Sequence, residues 1–279
     1  HLRQRMRTAA APNAAALRRA RAARRAPRAS DAAAVVAESA DAPKPKSLCI
    51  IGGRGCGKSS VCRLLNSVEK RFTLLSLDDL IRYEAGGKTV NEIVAEVGWT
   101  GFRDTEYLAL KKGRAFSEFA LIDAGGGIVV DLDEDGKEIM SERKIAELRR
   151  DAFCVYIERP VEYLEGRIAK KAKKAGGTDA NRPSLSATVG FREIMERRDP
   201  WYRAAAHAVV SGTDVLGLQK NKGQIAAEVL RVFYRASGEA DEAMPDPTRQ
   251  IAKLRRNAKD MLLAWCEEES CEDLWDVID

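Results

Sequence analysis

Leu48-Cys49-Ile50-Ile51-Gly52-Gly53-Arg54-Gly55-Cys56-Gly57-Lys58-Ser59-Ser60 is the stretch that decides the fold. A short apolar, β-branched run enters a loop that fits G-x-x-x-x-G-K-[ST] from Gly52 to Ser59. A helical pattern then opens with Val61, Leu64 and Leu65. This is a phosphate-binding loop in the strand-loop-helix context it requires. A polyphosphate has to be wrapped by backbone N–H groups, and glycine alone lets the chain turn that tightly with no Cβ in the way. Gly52, Gly55 and Gly57 therefore make the cradle, with Gly53, Arg54 and Cys56 between them. Lys58 supplies a point charge to the β and γ phosphates, and Ser59 places a hydroxyl where Mg²⁺ would sit. The helix opening through Lys58, Ser59 and Ser60 aims its positive end at the anion.

Further strands and helices alternate along the chain. Residues 72–77 read as a second buried strand ending at Asp78-Asp79, residues 119–123 as a third, 153–157 as a fourth and 207–211 as a short fifth. Helical periodicity covers residues 58–69, 89–97, 104–116, 161–174, 189–206 and 222–236, with Gly98-Trp99-Thr100-Gly101 as a break. The stretch 128–139, with Asp135-Gly136 at its middle, predicts a tight hairpin. Strands alternating with helices imply a parallel sheet covered on both faces, with ligands at the carboxyl ends of the strands. The phosphate loop, Asp78, the triplet Gly125-Gly126-Gly127 and the segment after the fourth strand all fall at that rim. Residues 175–186, glycine-bearing and charged, read as a mobile loop.

The chain of 279 residues is 45% hydrophobic, enough for one real core. Its net charge of +5 belongs to the first 30 residues, which hold nine Arg, no Lys and no acid and leave 38 basic against 42 acidic residues elsewhere. That Ala- and Arg-rich tail has the composition of an organelle transit peptide; a nucleic-acid-binding arm and a leader with no role are the alternatives. Because the first residue is His1, the chain is expected to be a fragment of something longer. Residues 1–46 are read as leader and linker, 47–236 as the folded body and 237–279 as a helical extension. In that extension Ile251, Leu254, Ala258, Met261 and Trp265 share a stripe, expected either to dock on the body or to meet another protein. The six cysteines show no zinc spacing and read as reduced and space-filling, Cys56 included, although a redox brake at Cys56 is the other reading. The only histidines are His1 and His207, and there is no G-x-S-x-G, which argues against serine-histidine hydrolysis and histidine metal sites. No apolar run approaches a membrane span.

Past the phosphate loop, four more pieces occur in order: Asp78-Asp79-Leu80-Ile81, Phe102-Arg103-Asp104-Thr105-Glu106, Gly125-Gly126-Gly127, and Arg182-Pro183-Ser184-Leu185 with Arg198-Asp199-Pro200-Trp201-Tyr202 beyond it. With them the chain resembles the shikimate kinases over roughly residues 47–236. The resemblance implies an α/β P-loop kinase: a three-layer sandwich on a five-stranded parallel sheet, with a mobile lid and a substrate-binding helical segment. It implies ATP and Mg²⁺ as cofactors, shikimate as substrate, phosphorylation of its 3-hydroxyl, and neither nucleic acid nor membrane as partner. With the tail read as a transit peptide, that function points to the plastid stroma.

By the same resemblance Asp78 holds the substrate hydroxyls, Gly125, Gly126 and Gly127 line the substrate, and Arg182 lies on the lid. The chemistry agrees. A small polyhydroxylated acid needs a bidentate cationic grip, which Arg103 and Arg198 can give. Asp78 can take the proton of the accepting hydroxyl. Lys58 and Arg182 can neutralise charge on the moving phosphoryl group. The family usually carries Asp two residues before Asp78, whereas Ser76 stands here, so magnesium is assigned to Ser59 and Asp123. Two other readings remain: a different small-metabolite kinase, such as a gluconate or nucleoside monophosphate kinase, and a related protein that has lost catalysis and serves as a binding or regulatory module.

Overall fold

The computed structural model describes residues 44–115, 117–150, 152–174 and 190–239. The leader, most of the linker, the predicted mobile loop with Arg182, and the C-terminal extension from residue 240 on lie outside the described residues, as do Cys266 and Cys271.

Five strands form one parallel sheet: β1 (Ser47–Ile51), β2 (Thr73–Ser76), β3 (Ala120–Asp123), β6 (Ala152–Glu158) and β7 (Ala208–Ser211). Their order across the sheet is β2-β3-β1-β6-β7. The three central strands read as unbroken apolar runs because both faces are covered. On one face Cys49, Ile51, Ile122, Cys154 and Tyr156 form a core with helices α3 (Val90–Ala115), α4 (Glu142–Arg150) and α6 (Phe191–Ala205), to which Leu110, Leu148 and Tyr202 belong. On the other, α1 (Lys58–Val68) and α7 (Lys222–Ser237) lie against each other and the sheet. Phe233 of α7 meets the rings of Phe72 and Phe153 there. The remaining helices are α2 (Leu77–Glu84) and α5 (Val161–Lys174). The predicted three-layer arrangement and five-stranded parallel sheet are both present.

Three local expectations are corrected. The second strand is buried only in part: it is the sheet edge, with Thr73 exposed and Leu74, Leu75 and Ser76 partly buried, and it stops at Ser76. There the Ser76 hydroxyl accepts the Asp79 backbone N–H at 3.2 Å and starts α2, a helix the sequence reading did not anticipate. The break expected over residues 98–101 narrows to one residue: Gly98, at φ 70° and ψ 177°, kinks α3, and the helix resumes at Trp99. Helix α4 was not anticipated either. The hairpin was: β4 (Val130–Leu132) pairs antiparallel with β5 (Glu138–Met140), and Gly136 at the turn has φ 76°.

His207 is a buried, satisfied histidine: its Nδ1 accepts the Cys154 backbone N–H at 2.8 Å and its ring stacks on Phe153. The four described cysteines are free and buried. A hydrogen bond with Cys154, together with burial, pushes the Cys49 thiol well up, and burial does the same to Cys62, which makes both poor nucleophiles.

Candidate active site

The phosphate loop joins β1 to α1, and its glycines do what the motif requires. Gly52, Gly55 and Gly57 all have positive φ, at 146°, 90° and 99°. Gly57 is the N-cap of α1, so the first N–H groups of that helix open into the loop. Lys58 is buried and donates to the Gly52 and Gly53 carbonyls at 2.7 and 3.3 Å. Burial alone would lower its pKa, but Cys56, Tyr202, Asp123 and Asp78 more than reverse this and hold the ammonium above its usual value.

Asp123 ends β3 beside the loop, where its carboxylate hydrogen-bonds the Ser59 hydroxyl. Burial raises the pKa of Asp123, partly opposed by Ser59 and Lys58. Two hard oxygen donors at the foot of a phosphate loop are the set that magnesium takes, so these residues fit the ion assigned to them. Among the described residues no group of three or more His, Cys, Asp or Glu could hold a metal.

Across the loop lies a cleft lined by Arg54, Asp78, Arg103, Glu106, Gly126 and Arg198. They come from five pieces of chain, Arg103 and Glu106 sharing one helix. Asp78 sits in the first turn of α2. Arg103 rises from α3 just past the Gly98 kink, its guanidinium over the rings of Trp99 and Phe102 at 5.4 and 5.7 Å. Glu106, one turn on, accepts its Nη1 at 2.7 Å. Arg103 Nε is buried without a partner, which is tolerable if a ligand supplies one.

Glu106 is shared with Lys144 of α4, whose Nζ lies 3.2 Å from it and donates to the Val130 carbonyl at 2.6 Å. Burial would raise the Glu106 pKa, but Arg103 and Lys144 together hold it below the usual range. Lys144 is fully buried, and burial lowers its own pKa. Nothing in the sequence pointed to Lys144, since a lysine three residues into an unpredicted helix has no local signature.

The glycine triplet works through close approach. A Cβ on Gly125 would come within 2.9 Å of Asp78 Oδ1, and one on Gly127 within 2.1 Å of Arg103 Nη1. Gly126 is the roomiest of the three. There a Cβ would reach no nearer than 3.4 Å to the Arg54 amide, and it is the carbonyl that matters. It accepts Arg198 Nη1 at 3.3 Å and the Tyr202 hydroxyl.

The structure thus brings Asp78, Arg103, the triplet and Arg198 to one cleft beside Lys58 and Ser59, while Arg182 lies outside the described residues. A second cavity of about 430 Å³ opens beside the loop, where Gly53 and Cys56 meet Tyr156, Leu164 and Met195.

Residues 54–233 match the family model described as shikimate kinase. A shikimate kinase from Leptospira biflexa is 41% identical over 158 residues, 57% of this chain and 82% of the relative. One from Rhodopirellula baltica is 32% identical over 204 residues, 72% of this chain and 97% of the relative. Among solved structures, the shikimate kinase from Acinetobacter baumannii in complex with shikimate aligns with a TM-score of 0.53 and 23% identity, over 71% of this chain and 95% of that one, a likeness of fold. With the family matched over most of the body and its motifs gathered round one cleft, the chain belongs to the shikimate kinase family.

Proposed function

We propose that this protein transfers the γ-phosphoryl group of ATP to the 3-hydroxyl of shikimate, giving shikimate 3-phosphate and ADP. The observation that carries the reading is the meeting of loop and cleft at Gly126. Its Cα side abuts the Arg54 amide of the phosphate loop, while its carbonyl holds Arg198 and Tyr202. A phosphate donor and a small acid bound there would be neighbours.

Each residue then has a task. The loop from Gly52 to Ser60 wraps the polyphosphate, and Lys58 exchanges loop carbonyls for phosphate oxygens. Arg103 and Arg198 grip the substrate carboxylate. Asp78, held close to Gly125, orients the 3-hydroxyl and accepts its proton. Ser59 and Asp123 would hold Mg²⁺, which when bound shields charge on the phosphate oxygens. Arg182 we assign to the lid, where it would neutralise the moving phosphoryl group.

Coupled ADP release with ATP and a panel of acceptors tests the activity. Turnover is expected with shikimate and not with gluconate or nucleoside monophosphates; no turnover above background with shikimate ends the reading. We also read residues 1–46 as a plastid transit peptide and linker, on their arginine-rich, acid-free composition. Import of the full chain into isolated plastids, lost on deleting residues 1–46, is the expected result. The stripe of Ile251, Leu254, Ala258, Met261 and Trp265 supports a docking role for residues 237–279, for which altered stability on truncation after Glu239 is the test.

A further inference from the structure

The hairpin β4–β5 contributes a side chain to the site without lining the cleft. Glu138, the first residue of β5, is nearly buried, with a side chain 12% exposed. Its carboxylate takes the Nε–Nη2 edge of Arg198: Oε2 accepts Nε at 3.1 Å and Oε1 accepts Nη2. The same Oε2 accepts Arg197 Nη2 at 3.0 Å. The third nitrogen of Arg198, Nη1, donates to the Gly126 carbonyl. A guanidinium has five N–H groups. Two are spent on Glu138 and one on Gly126, which leaves one on each Nη facing the cleft, with the Tyr202 hydroxyl also beside the guanidinium. Arg198 itself is 1% exposed and lines the cleft.

We propose that Glu138 is a positioning residue for substrate: it pins one edge of Arg198 so that the remaining pair of N–H groups meets the substrate carboxylate. An arginine fixed in this way loses little further freedom when the acid binds. Glu138 also balances the charge of a buried guanidinium that would otherwise face only dipoles. The inference rests on the shikimate kinase reading, because it needs a carboxylate as the ligand of Arg198. The hairpin thereby becomes part of the substrate site, reached through a residue of α6.

The test is steady-state kinetics on the full chain with shikimate and ATP varied separately, for wild type, Glu138→Gln, Arg198→Met and the double variant. Glu138→Gln is expected to raise the KM for shikimate about 10- to 100-fold, the size of a lost charge-assisted hydrogen bond. The KM for ATP should move by less than about twofold, and Glu138→Gln should add little to Arg198→Met. With the methyl ester of shikimate, which lacks the negative charge, wild type and Glu138→Gln should converge.

An unchanged or lowered KM for shikimate overturns the proposal, as does a parallel rise in both KM values or full additivity with Arg198→Met. Should Glu138→Gln not fold, Glu138→Asp replaces it: an intermediate rise in the KM for shikimate alone supports pinning, and a wild-type value overturns it. Wild type that does not turn over shikimate would instead defeat the functional reading itself, an outcome distinct from any of these.

Discussion

At the scale of single residues, the site depends on atoms that have no room to move. Gly127 shows it most clearly, since any Cβ there would stand 2.1 Å from Arg103 Nη1. The Gly127→Ala variant must push Arg103 off its perch on Trp99 and Phe102. The expected result is a KM for shikimate raised about tenfold or more with the KM for ATP little changed, read by varying each substrate in turn. Lys58→Met removes the loop charge assigned to the transferred phosphate. Transfer should fall below detection while the fold, followed by circular dichroism, persists. Retained turnover in that variant would take Lys58 out of the chemistry.

Ser76 matters at the scale of an element. It stands where the family usually has Asp, and its hydroxyl caps α2, the helix that carries Asp78. Losing the cap in Ser76→Ala should cost about 1 kcal/mol of stability and loosen Asp78 with it. Ser76→Asp keeps a good cap, and its charge sits favourably at a helix N-terminus, so its unfolding free energy should match wild type within about 0.5 kcal/mol. Urea titrations of the two variants decide the point, and equal losses would show that the hydroxyl does not act as a cap. The capping signal was already in the sequence as Ser76-Leu77-Asp78-Asp79. It was hidden because the apolar run through Leu77 was read as strand. Gly98 gave the opposite error: its neighbours Thr100 and Gly101 look like breakers, yet packing of Trp99 on Phe102 keeps them helical.

For the whole molecule, buried carboxylates set the response to acid. Burial raises the pKa values of Glu106, Asp131 and Glu138, and their cationic partners more than reverse it, leaving Asp131 at about 2 and the other two below the usual range. A carboxylate depressed in the folded state stabilises fully above its unfolded value, near pH 4, and the stabilisation is lost as pH falls through the folded value. Thermal midpoints should therefore be nearly flat from about pH 7 to 5 and drop steeply between about pH 4 and 2. Asp123, whose pKa is raised, works the other way and softens the drop. Midpoints that rise on acidification below pH 4 would contradict the ion-pair network around Glu106 and Glu138.

The same scale shows what a linear sequence conveys. The phosphate loop was legible because its chemistry is contained in eight consecutive residues, and the sheet because buried parallel strands are unbroken apolar runs. Arg103, Asp78 and Arg198 were legible through spacing shared with a family. Lys144 and Glu138 were not, since each acts on a partner 38 or 60 residues away. A charged residue on a helix or hairpin looks like any solvated one until the fold supplies its neighbour.

Lys58 carries a last consequence. Its ammonium already rests on two oxygens of its own loop, those of Gly52 and Gly53. A single small anion offers it only a swap of partners with little net gain. A chain of linked phosphates, engaging the loop amides in the same event, repays the swap many times over, so avidity rather than charge sets admission. The loop should thus be indifferent to free inorganic phosphate and keep its grip for nucleotides.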